Sequence, residues 1–203
     1  MFLAFLCAQA ALFAASTPDE ALKRLMEGNE RYTKNQFICP DRTEMRRMAL
    51  TEGQQPFAVI CGCSDSRVPP EILFDQGVGD LFIVRVAGNV VGPVELDSID
   101  YSAIYLHSSL IVVLGHENCG AIKAVLAGTT KDIEAVASLI KPNIQMCHSL
   151  PEAIKTNVQK VVDQLKQSRA IGALIKEGKI NVVGGYYNLA SGKVDFFTDV
   201  KTK

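Results

Sequence analysis

Two short segments carry side chains that could do chemistry together. One reads Cys61-Gly62-Cys63-Ser64-Asp65-Ser66-Arg67, the other Gly115-His116-Glu117-Asn118-Cys119-Gly120. Cys63, Cys119 and His116 offer two thiolates and one imidazole. That soft set suits Zn2+, at about 2.3 Å from sulfur and about 2.0–2.1 Å from nitrogen. His116 and Cys119 can chelate from one turn entering a helix, while Cys63 must arrive from another part of the chain. Three protein ligands leave one tetrahedral corner open, which marks a catalytic zinc site more than a structural one. The plainer reading is a pair of packed thiols. Both motifs together, with an acid and a guanidinium beside one of them, favour the metal.

Asp65 and Arg67 are one residue apart. A carboxylate beside a guanidinium stays ionised, and a bidentate pair fixes its orientation. Such a carboxylate can accept a hydrogen bond from a zinc-bound hydroxide and aim its lone pair at an electrophile. It could instead fill the fourth zinc position, which Arg67 would oppose. As a surface ion pair alone it would be worth little.

These segments need elements to position them. Short apolar runs read as buried strands at Phe57–Cys61, Leu81–Val86, Leu110–Leu114 and Ile180–Val183. Helical patterns lie between them, around Pro93–His107, Ala121–Leu126, Asp132–Ile140 and Glu152–Ile175. Strands alternating with helices predict an α/β fold: a mainly parallel central sheet of four strands. Tyr186 to Phe197 holds Ser191-Gly192 and reads as a turn into an antiparallel edge strand. Ligands of such sheets bind beyond the carboxyl ends of the strands. Both motifs stand at predicted strand ends.

Upstream, Thr17-Pro18-Asp19-Glu20 spells a capped helix start. An apolar stripe follows on Ala21, Leu22, Leu25 and Met26, and the helix is expected to reach about Tyr32. A short helix is expected around Thr43–Leu50. Residues 1–16, MFLAFLCAQAALFAAS, have an apolar centre and an A-x-A pattern but no Lys or Arg. They read either as a secretory signal, giving an exported protein, or as an apolar extension of a cytoplasmic one. Residues 17–203 read as one domain.

Composition narrows the function. With 21 Lys+Arg against 22 Asp+Glu, no basic excess exists to neutralise phosphates, which argues against nucleic-acid binding. A hydrophobic content of 48% excludes disorder, and no apolar stretch is long enough to span a membrane. Of six cysteines, Cys63 and Cys119 are read as metal thiolates and the others as buried thiols.

Cys63-Ser64-Asp65-Ser66-Arg67 and His116-Glu117-Asn118-Cys119-Gly120 together resemble the β-class carbonic anhydrases. Pro69-Pro70-Glu71, the run Asp80 to Asn89 and Gly185-Tyr186-Tyr187-Asn188-Leu189 extend the likeness from about residue 17 to the end. The resemblance implies reversible hydration of carbon dioxide to bicarbonate and a proton. It implies one zinc per chain on Cys63, His116 and Cys119, and a catalytic dyad of Asp65 and Arg67. It also implies Gln54 as a polar substrate contact, and Phe82, Ala87 and Tyr101 as walls of a narrow pocket. The family forms at least a dimer, so a homodimer or homotetramer is expected, with pockets at the subunit boundary and the N-terminal helix lying across the neighbour. Some members carry an inhibitory bicarbonate site with a Trp at the position of Ile60. This chain has no Trp, so an open zinc site is expected, although Arg85 matches an arginine of that second site.

Three competitors differ from this reading. Carbon disulfide or carbonyl sulfide would be hydrolysed by the same hydroxide attack. A non-catalytic zinc-stabilised module would need four protein ligands. Thiol redox chemistry at Cys61-Gly62-Cys63 would need Cys61 outside the core. Nucleotide binding has no support, because Gly77-Val78-Gly79 precedes a strand.

Overall fold

The computed structural model describes residues 16–197. The expectation for residues 1–16 lies outside that range, apart from Ser16. Among the described residues, five strands form one sheet: β1 (Ala58–Gly62), β2 (Leu81–Arg85), β3 (Leu110–His116), β4 (Asn181–Tyr187) and β5 (Val194–Phe197). Their spatial order is β2-β1-β3-β4-β5, parallel throughout except for the antiparallel β4–β5 edge pair. This is the expected α/β architecture.

Both faces of the sheet are covered, so its strands are apolar at successive positions rather than at alternate ones. Val59, Cys61, Ile111, Val113 and Val182 pack on one face against α4 (Pro93–Tyr105), α7 (Leu150–Gln167) and α8 (Arg169–Lys176). Ala58, Ile60, Leu110, Val112 and Val183 face α1 (Pro18–Thr33) and α3 (Pro70–Leu73) on the other. A third cluster lies past the strand ends, where Cys63 and Cys119 meet α5 (Gly120–Leu126) and α6 (Glu134–Ile144). The remaining helix, α2 (Glu44–Ala49), has no buried residue.

Several boundaries differ from the sequence expectation, each for a local reason. The helix expected at Glu152–Ile175 is two helices, α7 and α8. Ser168 is extended there (φ -62°, ψ 148°), ending α7, and its hydroxyl caps α8 by accepting from the Ile171 N–H. β4 runs four residues past Val183, through Gly184 and Gly185. A Cβ at Gly184 would stand 2.5 Å from Phe197 Cε2, so the glycine makes room for the edge strand's ring. α6 continues through Pro142 to bury Ile144.

α1 begins at the Thr17–Glu20 capping box as expected. Its buried residues are Ala21, Leu25, Gly28 and Asn29, and they pack within the same chain. Gly28 is pressed against Phe74, whose carbonyl oxygen would lie within covalent range of a Cβ. Asn29 donates to the Leu73 and Gly192 carbonyls and accepts from the Val194 N–H. The apolar stripe on α1 therefore serves its own sheet first. Only its outer flank, including the half-exposed Met26, faces away.

Candidate metal centre

The chain leaves β1, crosses to β2 on one side, then returns to β3 on the other. The switch point between β1 and β3 opens a crevice at their carboxyl ends. The register sets Gly62 opposite Leu114, so Cys63 leaves β1 just where β3 carries Gly115 and His116. Cys119 follows as the N-cap of α5.

The three side chains converge there. Cys63 Sγ lies 4.0 Å from Cys119 Sγ, and the ligand atoms of Cys63, His116 and Cys119 all fall within 4.8 Å of one another. The sulfurs are too far apart for a disulfide, near 2.0 Å, and close to the roughly 3.8 Å of two thiolates on one tetrahedral ion. All three residues are buried.

The donor set itself fits a zinc ion. His116 Nδ1 donates to the Glu117 carbonyl at 2.9 Å, which leaves Nε2 as a bare acceptor. Nε2 is buried and has no hydrogen-bond partner among the described residues. The sulfurs also need a cation. Cys63 is held as the easier thiolate, mainly by the Cys119 thiol, with the Gly88 and Asp65 N–H groups adding to it against the opposing effect of burial. Cys119, facing that charge, is pushed strongly up, with burial adding to the effect. One proton leaves this pair easily and the second leaves with difficulty, a conflict that a divalent ion resolves.

Asp65 lies beside the cluster, its Oδ2 3.8 Å from His116 Nε2. Arg67 donates from Nε to Asp65 Oδ1 at 2.9 Å and from Nη2 to Oδ2 at 2.7 Å. That pairing holds the Asp65 carboxyl well below the usual carboxylate range. Arg85, which matches by resemblance one arginine of an inhibitory site this chain is not expected to form, ends β2. Its Nε donates to the Cys63 carbonyl at 2.9 Å and its Nη2 to the Asp65 carbonyl at 2.5 Å. This contact between side chain and loop backbone had no signature in the sequence.

The pocket residues divide. Ala87 is half-buried in the 3-10 turn Ala87–Asn89, next to Gly88, whose N–H reaches Cys63 Sγ at 3.3 Å. Phe82 pairs with Val59 near the amino end of the sheet, three residues before Arg85. It therefore stands roughly 10 Å along the strand from the cluster's edge. Its ring meets Tyr101 at 6.3 Å between centroids, and Tyr101 is 48% exposed. Gln54 is exposed and precedes β1 by four residues, at the opposite end of that strand from Cys63. A single chain thus brings Ala87 to the cluster and leaves Gln54, Phe82 and Tyr101 on the amino-terminal side.

Cys61 does not join the cluster. It packs within the sheet core among Val59 and Val113, and burial, followed by the Glu95 charge, pushes its thiol up to about 12.

Comparison with known proteins agrees with this geometry. Residues 58–194 match the family model described as carbonic anhydrase. The chain is 39% identical to the carbonic anhydrase of Mycolicibacterium smegmatis, over 89% of this chain and 93% of that one. It is equally identical to carbonic anhydrase 2 of Mycobacterium tuberculosis, over 88% and 92%. Among solved structures it is similar to the β-carbonic anhydrase CcaA, with TM-score 0.67 and 25% identity over 88% of this chain and 99% of that one. It is also similar to the Coccomyxa β-carbonic anhydrase in complex with acetazolamide, with TM-score 0.68 and 25% identity over 87% and 88%.

Proposed function

Since the chain belongs to the β-class carbonic anhydrases and is an enzyme of carbon dioxide hydration, we propose that Cys63, His116 and Cys119 hold one zinc ion per chain and that Asp65 and Arg67 form its catalytic dyad. The observation that carries this is the convergence of three ligand atoms within 4.8 Å, one of them a buried, unpartnered imidazole nitrogen. When bound, zinc lowers the pKa of a coordinated water from about 15.7 toward neutrality and so supplies the nucleophile.

The chain's own residues do the rest. Asp65, ionised and acceptor-only, takes a hydrogen bond from the nucleophilic oxygen through Oδ2. That bond turns the oxygen's free lone pair toward the substrate carbon. Arg67 keeps the carboxylate charged and fixed in the fork. Ala87 offers a small apolar wall, which suits a linear molecule with no charge. The net change is carbon dioxide plus water to bicarbonate plus a proton, and the proton leaves to buffer.

Gln54, Phe82 and Tyr101 are assigned to the substrate wall of a second copy of the chain. Their position on the amino-terminal side supports that assignment. So does the apolar outer face of α4, where Val94 and Tyr105 are 73% and 70% exposed. A homodimer or a larger homo-oligomer would cover this face.

The test is metal content together with carbon dioxide hydration rate on one preparation. One zinc per chain, loss of activity on its removal, and inhibition by acetazolamide are expected. Full activity in metal-free protein would refute the assignment.

A further inference from the structure

α7 buries one apolar stripe that includes Ile154, Val158 and Val161, and Asn157 sits inside it at 0% exposure. A buried amide is costly unless both of its ends are bonded. Here both are. Asn157 Nδ2 donates to the Gly88 carbonyl at 2.9 Å, and its Oδ1 accepts from Asn143 Nδ2 of α6 at 3.0 Å. The Asn143 contact fixes which way the amide points, so that the donor faces Gly88.

Gly88 is the next link. It adopts φ 73° and ψ 17°, a left-handed conformation inside the turn that follows β2. A Cβ there would stand 2.8 Å from Ile140 Cδ1, so only glycine fits without displacing that side chain. Its N–H donates to Cys63 Sγ at 3.3 Å. Glycine has the widest choice of backbone conformations, so something must hold this one. Asn157 does so from a rigid helix, through the carbonyl of the same residue.

We propose that Asn157 is a positioning residue for the metal centre: it holds Gly88 so that the Gly88 N–H stays aimed at the Cys63 sulfur. The inference rests on the assignment of Cys63 as a zinc ligand. A hydrogen bond from a fixed N–H orients the thiolate and carries part of its charge. Leucine at 157 would suit the stripe's packing and lacks the donor, which makes Asn157→Leu the informative change.

The experiment uses the full chain. Zinc affinity is measured by competition with a chromophoric chelator, the Co2+-substituted protein is examined by absorption, and folding is checked by thermal melting. For folded Asn157→Leu we expect a zinc dissociation constant about 10–100-fold higher, a shifted sulfur-to-cobalt band and an unchanged KM for carbon dioxide. Wild-type zinc affinity with an unchanged cobalt spectrum would overturn the proposal. If Asn157→Leu does not fold, Asn143→Leu decides, because it frees the Asn157 amide while leaving it in place. A few-fold weaker zinc affinity supports the proposal, and no change overturns it. A wild-type chain that binds no zinc removes the ligand assignment and this inference together. Equally tight zinc binding by wild type and Asn157→Leu, with the same cobalt spectrum, removes this inference alone.

Discussion

Arg67 closes on both carboxylate oxygens of Asp65, Nε on Oδ1 at 2.9 Å and Nη2 on Oδ2 at 2.7 Å. The fork points Asp65 along the rim of the ligand cluster, with Oδ2 3.8 Å from His116 Nε2. Asp65 lies outside the group of ligand atoms that share a common 4.8 Å neighbourhood. A charged acceptor at that place serves orientation of a nucleophile better than ligation.

Asp65→Asn is therefore expected to keep its zinc and lose turnover. The amide has a similar shape but carries no charge and presents donors where an acceptor is needed. A fall in kcat on the order of 100-fold, with zinc content unchanged, is expected from steady-state kinetics and metal analysis. Loss of zinc in parallel with activity would make Asp65 a ligand instead.

Cys63 and Cys61 are two residues apart and should behave oppositely. Cys63→Ser removes a ligand and is expected to abolish zinc retention after dialysis. Cys61 lies inside β1, in the core with Val59 and Val113. Cys61→Ala should retain zinc and rate and cost about 1 kcal/mol of stability through lost packing. Loss of activity in folded, zinc-loaded Cys61→Ala would restore the thiol redox reading.

Much of this was legible in the sequence because it is local. The strands show as apolar runs, and the candidate ligands stand at their ends, so the switch-point crevice follows from chain order. The helix break at Ser168 was less visible, since the stripe from Glu152 onward continues across it. The reach of β4 through Gly184 and Gly185 depends on Phe197, thirteen residues on. Gln54, Phe82 and Tyr101 entered by family resemblance alone. Their distance from the cluster within one chain is a property of strand register, which no motif carries. Asn157 looked like one polar residue in a long helix, and its partner Gly88 is 69 residues away.

Asp75 gives a pH-dependent test of the scaffold. It is fully buried and accepts from Arg31 Nε at 2.7 Å and from the Ile38 and Cys39 N–H groups at 3.1 and 3.0 Å. Burial raises its carboxyl, but these donors outweigh burial and leave it below its ordinary value. A carboxyl depressed in the folded state adds stability above its unfolded pKa, about 3.9, and that stability is lost as pH falls through the folded value. Asp75→Asn is expected to lose about 2–4 kcal/mol in urea unfolding at pH 7. The gap to wild type should hold down to about pH 5 and narrow below the unfolded pKa of about 3.9. A gap that widened in acid would reverse the assigned sign.

Zinc-edge X-ray absorption at pH 8.5 tests whether one zinc ion sits on two sulfurs and one imidazole nitrogen. Two sulfur scatterers at about 2.3 Å and two lighter scatterers at about 2.0–2.1 Å are expected, with one sulfur lost in any zinc that Cys63→Ser retains. A sulfur count other than two in the wild-type protein would contradict this ligand set.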